Sequence, residues 1–267
     1  MLNPRIIPCL LLDNGGLVKT TNFKSPKYIG DPTNAIRTFN EMFVDELIFL
    51  DINASKYGQE PNYALIKKLS SECNMPLCYG GGLKSLNQIE KIISYGVEKI
   101  AINSAAFIDT NLISEAIKIF GTQSLVLSVD VRRKVNSFKE KYEIFNVCLN
   151  KSKLPKLSSH IKKMQGIGVG EIIVNSVDKD GTMSGYDHDL IDFLKPKINV
   201  PFTILGGASD YKDFKDLYKK YGLVGMAAGS VFVFQGQYRA VLINYPNKSE
   251  KNSLFNCQKS NINISDK

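Results

Sequence analysis

The chain contains no tryptophan and only two histidines, His160 and His188, in 267 residues. Its five cysteines (Cys9, Cys73, Cys78, Cys148 and Cys257) form no CxxC pair. So few nitrogen and sulfur ligands, this widely spaced, argue against a zinc or iron site. No metal and no cofactor is expected, and the thiols read as reduced groups of a cytoplasmic protein. Long apolar runs are missing too: no window approaches the roughly 18 uninterrupted apolar residues of a membrane span. The opening MLNPRIIPCLLLDNGG is broken by prolines and a carboxylate and lacks a small-residue cleavage site, so it reads as a strand rather than a signal peptide. The excess of 34 basic over 26 acidic residues gives a formal charge of +8. The lysines are scattered over many segments without any RRM, zinc-finger or helix-turn-helix pattern, which argues for anionic small molecules rather than nucleic acid.

What is present is a regular alternation. Short β-branched runs read as buried strands at 6–12, 47–52, 76–79, 100–102, 125–129, 172–177, 202–205 and 225–228. Amphipathic segments at 32–43, 61–73, 86–95, 111–120, 158–168, 188–195, 210–221 and 236–243 read as helices between them. Asp31-Pro32 is an N-cap followed by proline at the first helical position, and Ser85 with Gln88 fits a capping box. Eight such pairs predict an α/β fold, a single (β/α)8 TIM barrel over residues 1–245, with a doubly wound open sheet as the alternative. A two-fold half-barrel repeat supports the barrel: VDELIFLDINAS (44–55) matches VGEIIVNSVDKD (169–180), PLCYGGGLKS (76–85) matches PFTILGGASD (201–210), and GVEKIAINSAAF (96–107) matches GLVGMAAGSVFVF (222–234). Residues 246–267 are rich in Asn, Ser and Lys and read as a disordered tail.

A barrel places its chemistry at the C-terminal strand ends. Two clusters there look like phosphate cradles: Gly81 and Gly82 with Asn103 and Ser104, and Gly206 and Gly207 with Gly229 and Ser230. Glycine lets backbone N–H groups approach a phosphate closely, and a following helix start favours negative charge. The plainer reading is that these glycines serve tight βα turns. Between the cradles lie Asp51, Asp130, Asp178 and Asp180, with Asn175 at the sixth strand end. Asp130 is placed to act as a general acid or base, unless Arg132 neutralises it. His188 reads as a helix-start residue. At the other strand ends Arg5, Glu46, Lys99 and Glu171 combine two bases with two acids and are expected to form a ring across the barrel mouth.

These residues, together with the strings VKTTNF, DELIFLDI, INSAA and DKDGTMSGYD, resemble HisF, the cyclase subunit of imidazole glycerol phosphate synthase, from about Arg5 to Phe234. The resemblance implies a lyase-type cyclase that receives ammonia from a HisH-like glutaminase docked at the strand N-terminal face. It implies an ammonia gate of Arg5, Glu46, Lys99 and Glu171, a loop lysine at Lys19, and phosphate contacts that add Asp180 and Gly181 to the cradles. One position departs from the family: of its two catalytic aspartates, the fifth-strand one is Asp130, but the first-strand one is Leu11. Asp13, two residues on, is a weak substitute. The NGGLVKT string and the ending VLINYP resemble a paralogous branch associated with glycosyl amidation. In that branch ammonia is expected to pass to a third protein that makes acetamidino sugars for surface polysaccharide. A conventional histidine-pathway cyclase and a conduit with no chemistry of its own are the alternatives.

Overall fold

The computed structural model describes residues 4–134 and 141–255. Its strands are β1 (Arg5–Asp13), β2 (Leu47–Asp51), β3 (Leu77–Gly80), β4 (Lys99–Ile102), β5 (Leu125–Arg133), β6 (Glu171–Ser176), β7 (Phe202–Leu205) and β8 (Gly225–Ala228). Each pairs in parallel with its sequence neighbour, and β8 returns to β1 in the register Arg5↔Gly225 through Pro8↔Ala228. That closure makes a barrel and eliminates the open sheet. Helices follow the first seven strands: α1 (Pro32–Glu41), α2 (Tyr63–Glu72), α3 (Leu86–Ser94), α4 (Thr110–Phe120), α5 (Leu157–Ile167), α6 (His188–Leu194) and α7 (Tyr211–Tyr221).

The local signals explain the helix starts. Asp31 accepts from Asn34 N at 2.9 Å ahead of Pro32. Ser85 and Gln88 complete their reciprocal box at the start of α3. Asp187 caps α6 through Leu190 N at 3.0 Å, which makes His188 a first-turn residue stacked on Tyr221.

Two apolar clusters hold the fold. The larger lies between strands and helices, and is filled by residues such as Ile36, Phe39, Leu69, Ile89, Phe214 and Phe232. The smaller lies inside the barrel and is built from inward residues including Ile7, Ile48, Cys78, Ala101, Val126 and Ile173. Burying each of these isoleucines contributes roughly 1.5–3 kcal/mol. At the narrow base there is no room for another side chain: a Cβ on Gly225 would stand 1.9 Å from Thr203 Oγ1.

Two expectations fail. No helix forms over 236–243; the chain makes two-residue strands, Phe234–Gln235 and Ala240–Val241, joined by a turn with Gly236 and Arg239 at positive φ. Its Val241 and Leu242 are exposed, so the apolar pattern there faces water rather than a core. The tail is not wholly irregular either. Lys248–Phe255 is a helix that docks through Phe255 on Tyr218 (5.1 Å between ring centroids) and Lys251 on Asp45 (2.8 Å). Residues 256–267, with Cys257, lie outside the described residues. Outside those expectations, a hairpin, Gly16–Thr21 with Lys24–Gly30, extends β1 beyond the barrel rim.

Candidate active site

The C-terminal strand ends surround one cavity of about 650 Å³. Leu11, Asp13, Lys19, Asp51, Asp130 and Asn175 line it, as do the glycines and serines of both cradles. Asp178 does not: it is exposed and accepts from Arg133 N at 2.6 Å.

Asp130 projects inward from β5. Its two carboxylate oxygens accept from Asn103 Nδ2 (2.7 Å) and Asn175 Nδ2 (3.1 Å). Arg132 does not neutralise it, since Arg132 pairs with Glu143 at 2.9 Å. Burial pushes the Asp130 carboxyl up to about 6, against the pull of the two amides. A carboxylate that exchanges its proton near neutrality suits acid–base work. Leu11, on β1, offers no such group. Asp13 stands at the same rim and accepts from Asn14 Nδ2 (2.8 Å) and, closely, from Asn53 Nδ2. Asp51 caps the short helix Ile52–Lys56 by accepting from Asn53 N and Ala54 N (3.1 and 3.0 Å). Burial raises its carboxyl, opposed by those two amides. The Cys9 thiol is pushed up to about 12 by burial, so it is a neutral part of the wall.

The first cradle is internally paired. Gly82 N donates to Ser55 Oγ (3.0 Å), and Asn146 Nδ2 donates to both Asn103 Oδ1 (3.1 Å) and Ser104 Oγ (3.0 Å). The second is not: Ser230 Oγ is buried with no protein partner. Buried hydroxyls are nearly always satisfied, so a free one aimed at a cavity points to a ligand. The glycines are less informative. A Cβ on Gly81 would stand 2.4 Å from Asp51 O, and one on Gly207 2.2 Å from Gly185 O, so the fold needs them with or without a phosphate.

Lys19 and Asp180 meet each other. Lys19 Nζ lies 2.7 Å from Asp180 Oδ1, and Thr20 Oγ1 donates to Asp180 Oδ2 at 2.8 Å. Asp180 therefore clamps the hairpin over the cavity instead of turning its side chain to an anion. Gly181 packs beneath the same hairpin, where a Cβ would reach within 2.1 Å of Thr20 O.

The opposite end carries the charged ring. Arg5 contacts Glu46 (2.5 Å) and Glu171 (2.8 Å), and Lys99 contacts Glu46 (2.8 Å) and Glu171 (3.0 Å). The four charges alternate in sign, and both carboxylates are buried. Burial alone would raise the Glu171 carboxyl, but the Arg5 hydrogen bond and the charges of Arg5 and Lys99 hold it at about 2. Burial would lower Lys99, but the two glutamates raise it. Glu171 also accepts from Thr203 Oγ1 at 2.5 Å.

Asn146, Thr20 and Ser55 were not legible as site residues, because none of them lies in a glycine-rich or acidic cluster. Thr203 alone had a usable signal, being a hydroxyl in an apolar strand at the level of the ring.

The family described as "Histidine biosynthesis protein" matches residues 5–239. Three curated relatives are similar over nearly their whole length. "Putative imidazole glycerol phosphate synthase subunit HisF" of Leptospira borgpetersenii is 48% identical, over 96% of this chain and 100% of the relative. "Putative imidazole glycerol phosphate synthase subunit hisF3" of Vibrio vulnificus is 47% identical, over 94% and 96%. "Putative imidazole glycerol phosphate synthase subunit hisF2" of Pseudomonas aeruginosa is 48% identical, over 92% and 97%.

Proposed function

The chain belongs to the histidine biosynthesis protein family as a HisF-type barrel, and we propose that it is the ammonia-receiving subunit of a glutamine amidotransferase whose nitrogen goes to sugar amidation. In this reading a HisH-like glutaminase docks at the strand N-terminal end and releases ammonia against the charged ring. The ring is closed by four ion pairs in the free chain. A partner that draws one of its side chains aside opens it, a shift of a few kcal/mol being enough to reverse such an equilibrium. Above the ring, Ile7, Ile48, Ala101, Val126 and Ile173 offer neutral ammonia an apolar path. Ammonium is excluded there, because an unpaired ion in such a medium is strongly disfavoured.

The single observation that carries the reading is Leu11. The cavity holds Asp130 fixed by Asn103 and Asn175, while the first-strand position facing it has no proton to give. A two-carboxylate cyclisation therefore lacks one of its groups, whereas the ring, the apolar path and the cavity are all kept. Asp130, anionic above about pH 6, supplies an acceptor for ammonia as it emerges. The cradle at Ser230 accepts a phosphate-bearing molecule, and a third protein makes the acetamidino group on a surface-polysaccharide sugar.

A conventional histidine-pathway cyclase is the second reading, and Asp13 favours it because it lines the same cavity. Deleting the gene separates the two. We expect histidine prototrophy with loss of acetamidino sugar from the surface polysaccharide; histidine auxotrophy with unchanged polysaccharide contradicts the proposal.

A further inference from the structure

Helix α1 ends on a residue that does not suit its conformation. Phe43 has φ +53°, with Phe43 N donating to Asn40 O (3.2 Å) and Val44 N to Phe39 O (3.4 Å). This helix ending is usually made by glycine, because in the left-handed region a Cβ crowds the neighbouring carbonyl. No packing compensates for the misfit, since Phe43 is 85% exposed. Backbone strain at a non-glycine residue gathers where a surface has a binding role.

Position narrows the role. Phe43 lies three residues before the ring glutamate Glu46, at the strand N-terminal end. The segment between them is held rigidly: Asp45 accepts from Ile6 N (3.1 Å), Tyr245 OH (2.9 Å) and Lys251 Nζ (2.8 Å). Strand β1 pairs with both β2 and β8. On its far side Leu223, two residues before Gly225 at the level of the ring, is 53% exposed. An aromatic ring held on stiff backbone, with a second exposed apolar side chain across β1, has the composition of an interface anchor.

We infer that Phe43, supported by Leu223, anchors the glutaminase subunit on the rim of the charged ring, an inference that rests on the docking face proposed above. The occupant follows from continuity with that ring. Whatever covers Phe43 also overlies the mouth three residues away. A second copy of this chain would shut the entrance, whereas a glutaminase must seal it to pass ammonia on without loss to water.

The test is calorimetric titration of the HisH-like glutaminase from the same organism into the full chain and three variants. Phe43→Gly relieves the strain, so it should unfold at the same or a higher temperature yet bind about tenfold or more weakly. Phe43→Asn, which also tolerates this conformation, should reproduce the loss. Ile108→Ala, exposed beside the first cradle at the opposite end, should bind like the parent. Binding by Phe43→Gly within about twofold of the parent overturns the inference and leaves the docking reading intact. No binding by the parent chain overturns both. A parent dimer that Phe43→Gly dissociates in sedimentation makes the occupant a second copy and also overturns it.

Discussion

Replacing Glu171 by Gln tests the charged ring as a physical object. The substitution keeps size and leaves an oxygen for Thr203, but the ring then holds two cations against Glu46 alone. The magnitude can be worked from the carboxyl itself. Its neighbours hold it at about 2 instead of 4.5, and at about 1.4 kcal/mol per pH unit the folded state gains roughly 3 kcal/mol from its ionisation. Removing one partner of a buried pair costs about 3–5 kcal/mol. Arg5 is partly exposed, with a side chain 31% accessible, which favours the lower end. For a chain of this size, about 3 kcal/mol corresponds to a fall of roughly 6–12 °C in unfolding temperature. The sign of the pH dependence is fixed by the direction of the shift. A carboxyl depressed by folding stabilises above its unfolded value near 4.5, and that stabilisation fades as pH falls toward 2. Scanning calorimetry of both proteins from pH 7 to pH 2.5 should show a gap that is full at pH 7 and closes in acid. A gap below about 1 kcal/mol at pH 7, or one constant across the acid range, refutes a tightly coupled ring.

Two further substitutions probe the cavity. Ser230→Ala removes a hydroxyl that has no protein partner, so stability should be unchanged within about 0.5 kcal/mol. Titration with inorganic phosphate should nonetheless show saturable binding weakened by about tenfold, as for a lost hydrogen bond to a charged group; unchanged affinity removes Ser230 from the cradle. Asp130→Asn eliminates a carboxyl that burial raises from 3.8 to about 6. Its ionised form is disfavoured by folding above pH 6, a penalty that disappears as pH falls toward 3.8. Relative to the parent, the variant should therefore gain up to about 3 kcal/mol between pH 4 and pH 7 in urea titrations, and a pH-independent difference contradicts the burial argument.

The barrel was legible because parallel strands buried on both faces are short apolar runs, and these were separated by helices with plain start signals. The repeat also survives in three dimensions: Glu46 and Glu171, matched in the sequence halves, occupy equivalent places in the ring. The hairpin at 16–30 was missed although its signal was present. Asn14 and Gly15 have φ of 49° and 81° in a two-residue turn between paired Asp13 and Gly16, and Asn-Gly is the dipeptide that favours such a turn. The second strand of that hairpin, KSPKYIG, is mostly exposed and shows no alternation to read. Tyr142–Phe145, which pairs antiparallel with Asp130–Arg133, was missed although Tyr142 and Ile144 face the core, because a four-residue alternation is too short to stand out. Of the site, Asp51, Asp130 and the glycine–serine clusters were legible as residue types at strand ends, whereas Asp178, read into the same group, lies outside the cavity. The engagement of Asp180 with Lys19 was not legible, because it links positions 161 residues apart and depends on how the hairpin folds back.

Whether this barrel hands ammonia on instead of completing the two-carboxylate cyclisation is read by steady-state turnover of the phosphate-bearing substrate of HisF-type cyclases with free ammonia. Loss of one of two acid–base groups removes on the order of 10²–10⁴ in rate. Barely detectable turnover is expected of the parent chain, with a rise of up to that factor in Leu11→Asp, which returns a carboxyl opposite Asp130. Turnover by the parent chain within about tenfold of an ordinary cyclase contradicts the ammonia-relay role and makes Asp13 the working partner of Asp130.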